Sequence, residues 1–292
     1  MRRPVEQELG VRYISGTRPV VSPNGSNGEG YDVTADPQVL VVLPTLGDRL
    51  DSFKLTLASV QQQREHIGVT LVVVAPSSAI EARELATQSG ALVVDDPKEG
   101  ISEAINRGLR ARTTEQYYAW IGDDDLFRPR GLGKLHAILE SAPASVLAFG
   151  GCDYIDPDGR TITVSNAGWL ATFLLAWGPD LIPHPGTMVR LDALEAIGGF
   201  DRSLKYAMDL DAFLKLRAHG NFSWTRESVS AFRWHPDSLT VANRRGSSQE
   251  SELVKRRHLP PALRPISFLW QYPIRWASGY AAGRVSARAR AL

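Results

Sequence analysis

The apolar positions of the chain follow two periods that alternate. Val39-Leu40-Val41-Val42-Leu43 is an unbroken apolar run closed by Pro44. A run without a polar interruption predicts a strand buried on both faces, as in a parallel sheet. Leu50, Phe53, Leu57 and Val60 then recur at helical spacing over residues 50–63. A second apolar strand is predicted at 69–75, ended by Pro76, then a helix at 78–89. A short third strand at 91–94 ends in Asp95-Asp96-Pro97. Ile101, Ile105 and Leu109 repeat every four residues, the stripe of an amphipathic helix over 99–112. The fourth strand, 117–121, runs directly into Gly122-Asp123-Asp124-Asp125.

This β-α-β-α-β-α-β alternation over about 85 residues predicts an open, mostly parallel sheet with flanking helices and right-handed crossovers. Ligands of such sheets bind beyond the C-terminal strand ends. Pro44-Thr45, Ala75-Pro76-Ser77, Asp95-Asp96 and the acidic triplet all stand at those ends, so their polar groups are expected to share one crevice. Three adjacent carboxylates at a strand end leave two readings open. One is a divalent cation, Mg²⁺ or Mn²⁺, held by hard oxygen ligands. The other is a solvated acidic turn that caps the helix beginning near Pro129. Further on, 146–152 and 161–164 read as strands, 169–177 as an apolar helix and 187–191 as a strand. Trp169 and Trp177 are expected in the core, the commoner place for a Trp in such a run.

Composition adds organisation. Residues 1–37 are rich in Gly, Pro, Asn and Ser without a sustained period, and are expected to be a flexible arm. A folded domain is expected over 38–250 and a basic, aromatic tail over 251–292. The 43% hydrophobic and 22% charged content is that of an ordinary globular protein. The net charge of +1 predicts no nucleic-acid partner, but the charge is unevenly placed. Residues 253–292 hold eight Lys/Arg and no acid, which leaves 25 basic against 32 acidic residues elsewhere. The tail also carries Phe268, Trp270, Tyr272, Trp276 and Tyr280. That mixture suits either a membrane–water interface or docking on the body or on a second subunit. The single Cys152 excludes an intrachain disulfide framework and fits a reducing, cytoplasmic compartment. The N-terminus lacks the apolar segment of a signal peptide, and no apolar run approaches the ~18 residues of a membrane span. Peripheral attachment to the inner face of the cell membrane is the remaining membrane option.

Several segments, in order, resemble family 2 glycosyltransferases of the GT-A fold. They are 39–45 with Arg49 and Leu57-Ala58-Ser59-Val60-Gln61-Gln62-Gln63; Gly100 to Leu109 with its Ala104-Ile105-Asn106-Arg107-Gly108; Trp120 to Asp125; and Gly198-Gly199-Phe200-Asp201 followed by Asp209-Leu210-Asp211. The resemblance covers about residues 39–236 and implies a GT-A-like sheet with a C-terminal helical appendage. It implies a metal-dependent, inverting transfer of sugar from a nucleoside-diphosphate donor to the hydroxyl of a glycan or lipid-linked glycan, in envelope or exopolysaccharide synthesis.

The resemblance also assigns roles. The family pattern at the triplet is Asp-x-Asp-Asp, and here Gly122 stands where the first Asp is expected. Asp124 and Asp125 then hold the later positions, while a shift of one residue gives Asp123-x-Asp125. Asp125 is the favoured direct metal ligand, and Asp123 the ribose-side group or a second ligand. His235 resembles the family's closing histidine at the metal or diphosphate. Asp209 takes the position of the base. Two residues on a helix stand about 200° apart, so Asp211 cannot share its cleft and is structural or acceptor-facing. His184 is placed near the acceptor, and the resemblance gives Trp169 and Trp177 a second reading, stacking on sugar in the acceptor pocket. Pro44, Thr45, Arg49 and Asn106 line the donor side. The turn at 75–78 has no acid to read uracil, so Asp95 or Asp96 reads the base, or the base is another one. The rival readings are a nucleotidyltransferase on a similar sheet and a catalytically silent nucleotide-sugar- or glycan-binding protein.

Overall fold

The structure is a computed structural model that describes residues 38–234 and 243–289. The expected arm over 1–37 and His235 lie outside the described residues. Strands β1 (Val39–Pro44), β2 (Val69–Ala75), β3 (Leu92–Asp95) and β4 (Tyr117–Trp120) pair in parallel, with β1 between β2 and β4 and β3 outside β2. The register sets Pro44 beside Val74, Ala75 beside Asp95 and Val42 beside Trp120. The C-terminal ends of all four strands therefore meet along one edge.

Alternate side chains of a strand leave opposite faces, and β1 shows the result. Leu40 and Val42 enter one core with helices α3 (Ile101–Leu109), α6 (Leu191–Ala196) and α7 (Met208–Leu216). Val39, Val41 and Leu43 enter another with α1 (Leu50–Gln63), α2 (Ile80–Gln88) and α4 (Gly131–Ser141). That two-faced burial explains why the strand sequence shows no polar alternation.

Beyond β4 the sheet changes direction. Strand β8 (Thr187–Arg190) lies antiparallel between β4 and β6 (Ser145–Ile155), and β9 (Asn221–Arg233) runs parallel to β6. Strand β5 (Leu126–Phe127) pairs antiparallel with the end of β9, and β7 (Thr161–Ser165) with the end of β6. The expected α/β architecture forms, as a mixed sheet in the order β3-β2-β1-β4-β8-β6-β9-β5. Pattern reading did not reach β5 or β9. The pairing of Leu126 with Ala231 and Phe127 with Ser230 spans about a hundred residues, and β9 is exposed along much of its first half.

The short helix α5 (Trp169–Leu174) follows β7. Trp169 and Trp177, which follows this helix, are 59% and 39% exposed, so neither takes the core place that is the commoner one for such a Trp. The C-terminal part is helical: α8 (Arg244–His258), a short turn at Pro261–Leu263 and α9 (Phe268–Ala289), which contains Pro273.

Candidate active site

The acidic triplet leaves the end of β4 beside the loop after β1. Thr45 donates from its hydroxyl to Asp123 Oδ2 at 2.6 Å and accepts from the Gly47 amide. Arg49, at the N-cap position of α1, donates to Asp124 Oδ2 at 2.7 Å and lies 3.9 Å from Asp123 Oδ1. Asp125 is buried, and its Oδ1 accepts the backbone amide of Arg233 at 3.0 Å. The buried Arg233 guanidinium donates to the carbonyls of Asp124, Asp156 and Pro157, fastening the triplet to β9. Thr56 of α1 donates to the Asp125 carbonyl from the other side.

Gly122 gives this turn its shape. A Cβ there would stand 3.0 Å from Asp125 Oδ2 and 3.3 Å from Asp124 Oδ1. The two carboxylates converge on the space that a side chain at 122 would fill. Burial pushes the Asp123 carboxyl up to about 6 against the Thr45 hydrogen bond, with Asp124 adding to the rise. Burial, then the neighbouring Asp124, pushes Asp125 well above the usual carboxylate range. Mg²⁺ or Mn²⁺ bound to a diphosphate needs only one or two carboxylates, the rest coming from phosphate and water. The donor set converging over Gly122 fits that requirement. Among the described residues there is no group of three or more His, Cys, Asp or Glu that would form an all-protein cage.

Asp209 lies on the first turn of α7, and its Oδ1 accepts the Leu210 amide at 2.8 Å. Its Oδ2 stands 3.9 Å from Nδ1 of the buried His184. The His184 ring stacks on Trp120, with centroids 4.3 Å apart and planes 12° apart, and is flanked by Phe200 and Phe213. Trp120 is two residues before Gly122. A continuous stack thus joins the triplet end of β4 to Asp209. Burial drops the His184 imidazole to about 3, so the ring is neutral, and its buried Nε2 has no hydrogen-bond partner among the described residues. Burial pushes Asp209 up to about 6.

A scan of family models matches "Glycosyl transferase family 2" over residues 40–195, more than half of the chain. The chain belongs to glycosyl transferase family 2. Solved structures of the same fold include the mannosyltransferase PcManGT from Pyrobaculum calidifontis in complex with GDP-Man and Mn²⁺. It is 20% identical with a TM-score of 0.60, over 87% of this chain and 77% of that one. TarS 1–349 of S. aureus gives 15% identity and a TM-score of 0.58, over 82% and 72% of the two chains. A curated relative, the phosphoenolpyruvate guanylyltransferase of Geodermatophilus obscurus, is 29% identical over 159 residues. That match covers 54% of this chain and 62% of the relative's length.

The remaining expected site residues of this family 2 glycosyltransferase divide into two groups. Pro44 ends β1 beside the triplet. Asp95 is exposed, 3.7 Å from Arg83, while Asp96 is buried with Oδ1 accepting the Lys98 amide. Asn106 binds protein rather than open space: Nδ2 donates to the Phe200 carbonyl and Oδ1 accepts the Phe200 amide. Gly199, at φ +72°, passes so close that a Cβ would meet Asn106 Oδ1 at 2.7 Å. Asn106 therefore clamps the Gly198-Gly199-Phe200 turn that leads to Asp209. Asp211 is turned away from the cleft. Its Oδ1 contacts His258 Nε2 at 2.9 Å, and its Oδ2 forms an ion pair with Lys215 at 2.7 Å without hydrogen-bond alignment.

Three residues without a sequence signal also shape the site. Asp180, in a Gly-Pro-Asp turn, is pushed up to about 7 by burial and then by Asp209. Lys255 of α8 donates to the Gly178 carbonyl in that turn. Glu250 of α8 accepts through one oxygen from the amides of Lys205, Tyr206 and Ala207, at 2.9, 2.6 and 2.8 Å. Glu250 and Lys255 act across more than 40 residues of chain and Asp180 across 29, beyond the reach of local periodicity.

Proposed function

We propose that the protein transfers a sugar from a nucleoside-diphosphate sugar to an acceptor hydroxyl with inversion at the anomeric carbon. The observation that carries this reading is the pairing of a carboxylate cradle over Gly122 with Asp209, joined through Trp120 and His184. Family membership and the fold support it. The donors named with the neighbouring structures, GDP-Man with Mn²⁺ and UDP-GlcNAc, belong to the same chemical class.

Asp125 through Oδ2 and Asp124 through Oδ1, the cradle over Gly122, with Asp123 and His235 as the further expected ligands, would hold Mg²⁺ or Mn²⁺. That ion supplies charge neutralisation to the leaving diphosphate. Thr45 orients Asp123, and Arg49 sets the position of Asp124 beside the nucleoside. Exposed Asp95 is the carboxylate available to read the base, since Asp96 is committed to Lys98. Asp209, ionised above about pH 6, accepts the hydroxyl proton as the acceptor oxygen bonds to the anomeric carbon. The bond from that carbon to the phosphate oxygen breaks, and the nucleoside diphosphate leaves with its electron pair. Neutral His184 packs behind Asp209 and lines the acceptor side. The acceptor is a glycan or lipid-linked glycan of envelope or exopolysaccharide synthesis, handled at the cytoplasmic side.

The test is turnover with Mn²⁺ and a panel of nucleotide sugars, read as nucleoside diphosphate released. Asp209→Asn is expected to abolish transfer while donor binding, measured by calorimetry, survives. Transfer that persists in this variant overturns the assignment of the base. The guanylyltransferase relative favours a second reading, nucleotidyl transfer. It predicts pyrophosphate as product from a nucleoside triphosphate. Pro44-Thr45-Leu46-Gly47 provides no Lys or Arg on a glycine-rich loop for a triphosphate.

A further inference from the structure

Two segments far apart in sequence build one apolar face. On α5 and just after it, Trp169, Leu170, Phe173 and Trp177 are all exposed, Phe173 by 63%. On α9, Phe268, Tyr272, Trp276 and Tyr280 recur every fourth residue and are exposed, Trp276 by 76%. That spacing keeps them on one broad stripe about 18 Å long. The two parts touch: the Trp177 and Trp270 ring centroids are 5.6 Å apart, and α9 packs along β7, which precedes α5. Large apolar side chains gathered at a surface mark an interaction site.

The two segments that form this face carry charges of one sign. Residues 161–179, which include β7 and α5, contain no charged residue at all. Every Asp/Glu/Lys/Arg residue from 253 onward is Lys or Arg. Arg275 lies over the Tyr272 ring at 4.8 Å, a cation held beside an aromatic, and its other neighbour is Glu252 at 3.5 Å. A negatively charged partner surface would meet no carboxylate from either segment of the face. Rings with a polar edge, Trp and Tyr, flanked by arginine are the composition of a membrane–water interface. No described helix is long and apolar enough to cross a bilayer, so contact of this kind lies along the surface.

We infer that α5 and α9 together form a docking face for an anionic lipid bilayer, with the aromatic rings entering the headgroup region and Arg275 facing lipid phosphate. This holds whatever sugar the protein transfers, because it rests on α5 and α9 alone.

Flotation of the full chain with lipid vesicles tests it. The protein is expected to float with vesicles of equal parts phosphatidylcholine and phosphatidylglycerol, and much less with phosphatidylcholine alone. Binding should weaken as salt is added. Phe173→Ser and Trp276→Ser remove exposed side chains, so folding, checked by circular dichroism, should be retained. Each should weaken vesicle binding roughly tenfold or more, the scale for burying one large apolar side chain. The inference is overturned if the protein stays with the aqueous fraction for both lipid mixtures. It is equally overturned if both variants bind vesicles like the parent, or if the face instead drives self-association that these variants abolish. Nucleotide-sugar turnover in solution, measured alongside, separates failure of this face from failure of the transferase reading.

Discussion

Glu250 offers a sharp test of how the C-terminal part serves the site. One of its oxygens receives three amides, from Lys205, Tyr206 and Ala207, and Ala207 is the N-cap residue of α7. The carboxylate thus occupies the positive end of the helix that carries Asp209. Glu250→Ala leaves those three donors without this acceptor. A hydrogen bond to a charged group contributes about 1.5–3 kcal/mol, and the helix-end charge adds about 0.3–1 kcal/mol. Three donors sharing one oxygen do not add fully, so the expected loss is about 2–4 kcal/mol. For a domain of this size that lowers Tm by roughly 5–12 °C. Glu250→Gln keeps an acceptor oxygen and should lose about half as much. It also removes a negative charge that raises the Asp209 carboxyl, secondary to burial. The acid limb of the rate profile should therefore move to lower pH in Glu250→Gln. The assay is nucleoside diphosphate release from about pH 4.5 to 8, scaled to each plateau, beside denaturant unfolding. An unchanged stability for Glu250→Ala refutes the capping argument. A loss of stability with an unmoved acid limb refutes the electrostatic link to Asp209.

Other expectations follow from single contacts. Gly122→Ala puts a methyl where Asp124 Oδ1 and Asp125 Oδ2 converge, and should raise the Mn²⁺ concentration needed for turnover by about tenfold with little change in unfolding midpoint. An unchanged Mn²⁺ titration would show that the cradle is not the metal locus. Asp180 and Asp209 have folded values raised to about 7 and about 6, above the unfolded carboxyl value. The folded state then binds more protons between about pH 4 and 7, so their contribution to stability falls as pH rises through that window. Urea midpoints in metal-free buffer at the two ends should show a smaller decline for Asp180→Asn than for the parent. Asn106→Ala frees the Phe200 backbone from both hydrogen bonds and should cost about 1–3 kcal/mol. Unfolding indistinguishable from the parent would mean that the turn before Asp209 holds itself.

The sheet was readable where burial alone writes the sequence. Strand β1 is fully buried on both faces, so its apolar run admits little besides a central strand. The helix over 101–109 was equally plain, because Ile105 is fully buried beside the partly exposed Arg107. Helix α8 left no such trace. Val254 and the following Leu259 are buried there, and the helix is held mainly through Glu250, Lys255 and His258. Polar attachments of that kind join residues more than 40 positions apart and have no period. The same limit applies within the site. Helical geometry separated Asp209 from Asp211, but only the packing of α8 supplies His258 as the partner of Asp211. For Trp169 and Trp177 the core reading fails, since an apolar run reads alike whether it fills a core or covers a surface patch.

The departure at 122 is where sequence and geometry correct each other. Measured against the family pattern, a glycine in place of the first acid looks like a lost ligand. In the folded chain the missing side chain is what lets the Asp124 and Asp125 carboxylates turn back over position 122. Arg49 pairs with Asp124, whereas the Arg233 head group is spent on three carbonyls and gives the triplet its backbone anchor. Burial and the neighbouring Asp124 hold Asp123 and Asp125 toward their protonated forms, so each ionises at a cost at the edge where four strand ends meet. A diphosphate brought to that edge alone would add more of the same sign. A divalent cation reverses the sign of that interaction, so donor and metal are expected to bind as a unit rather than independently.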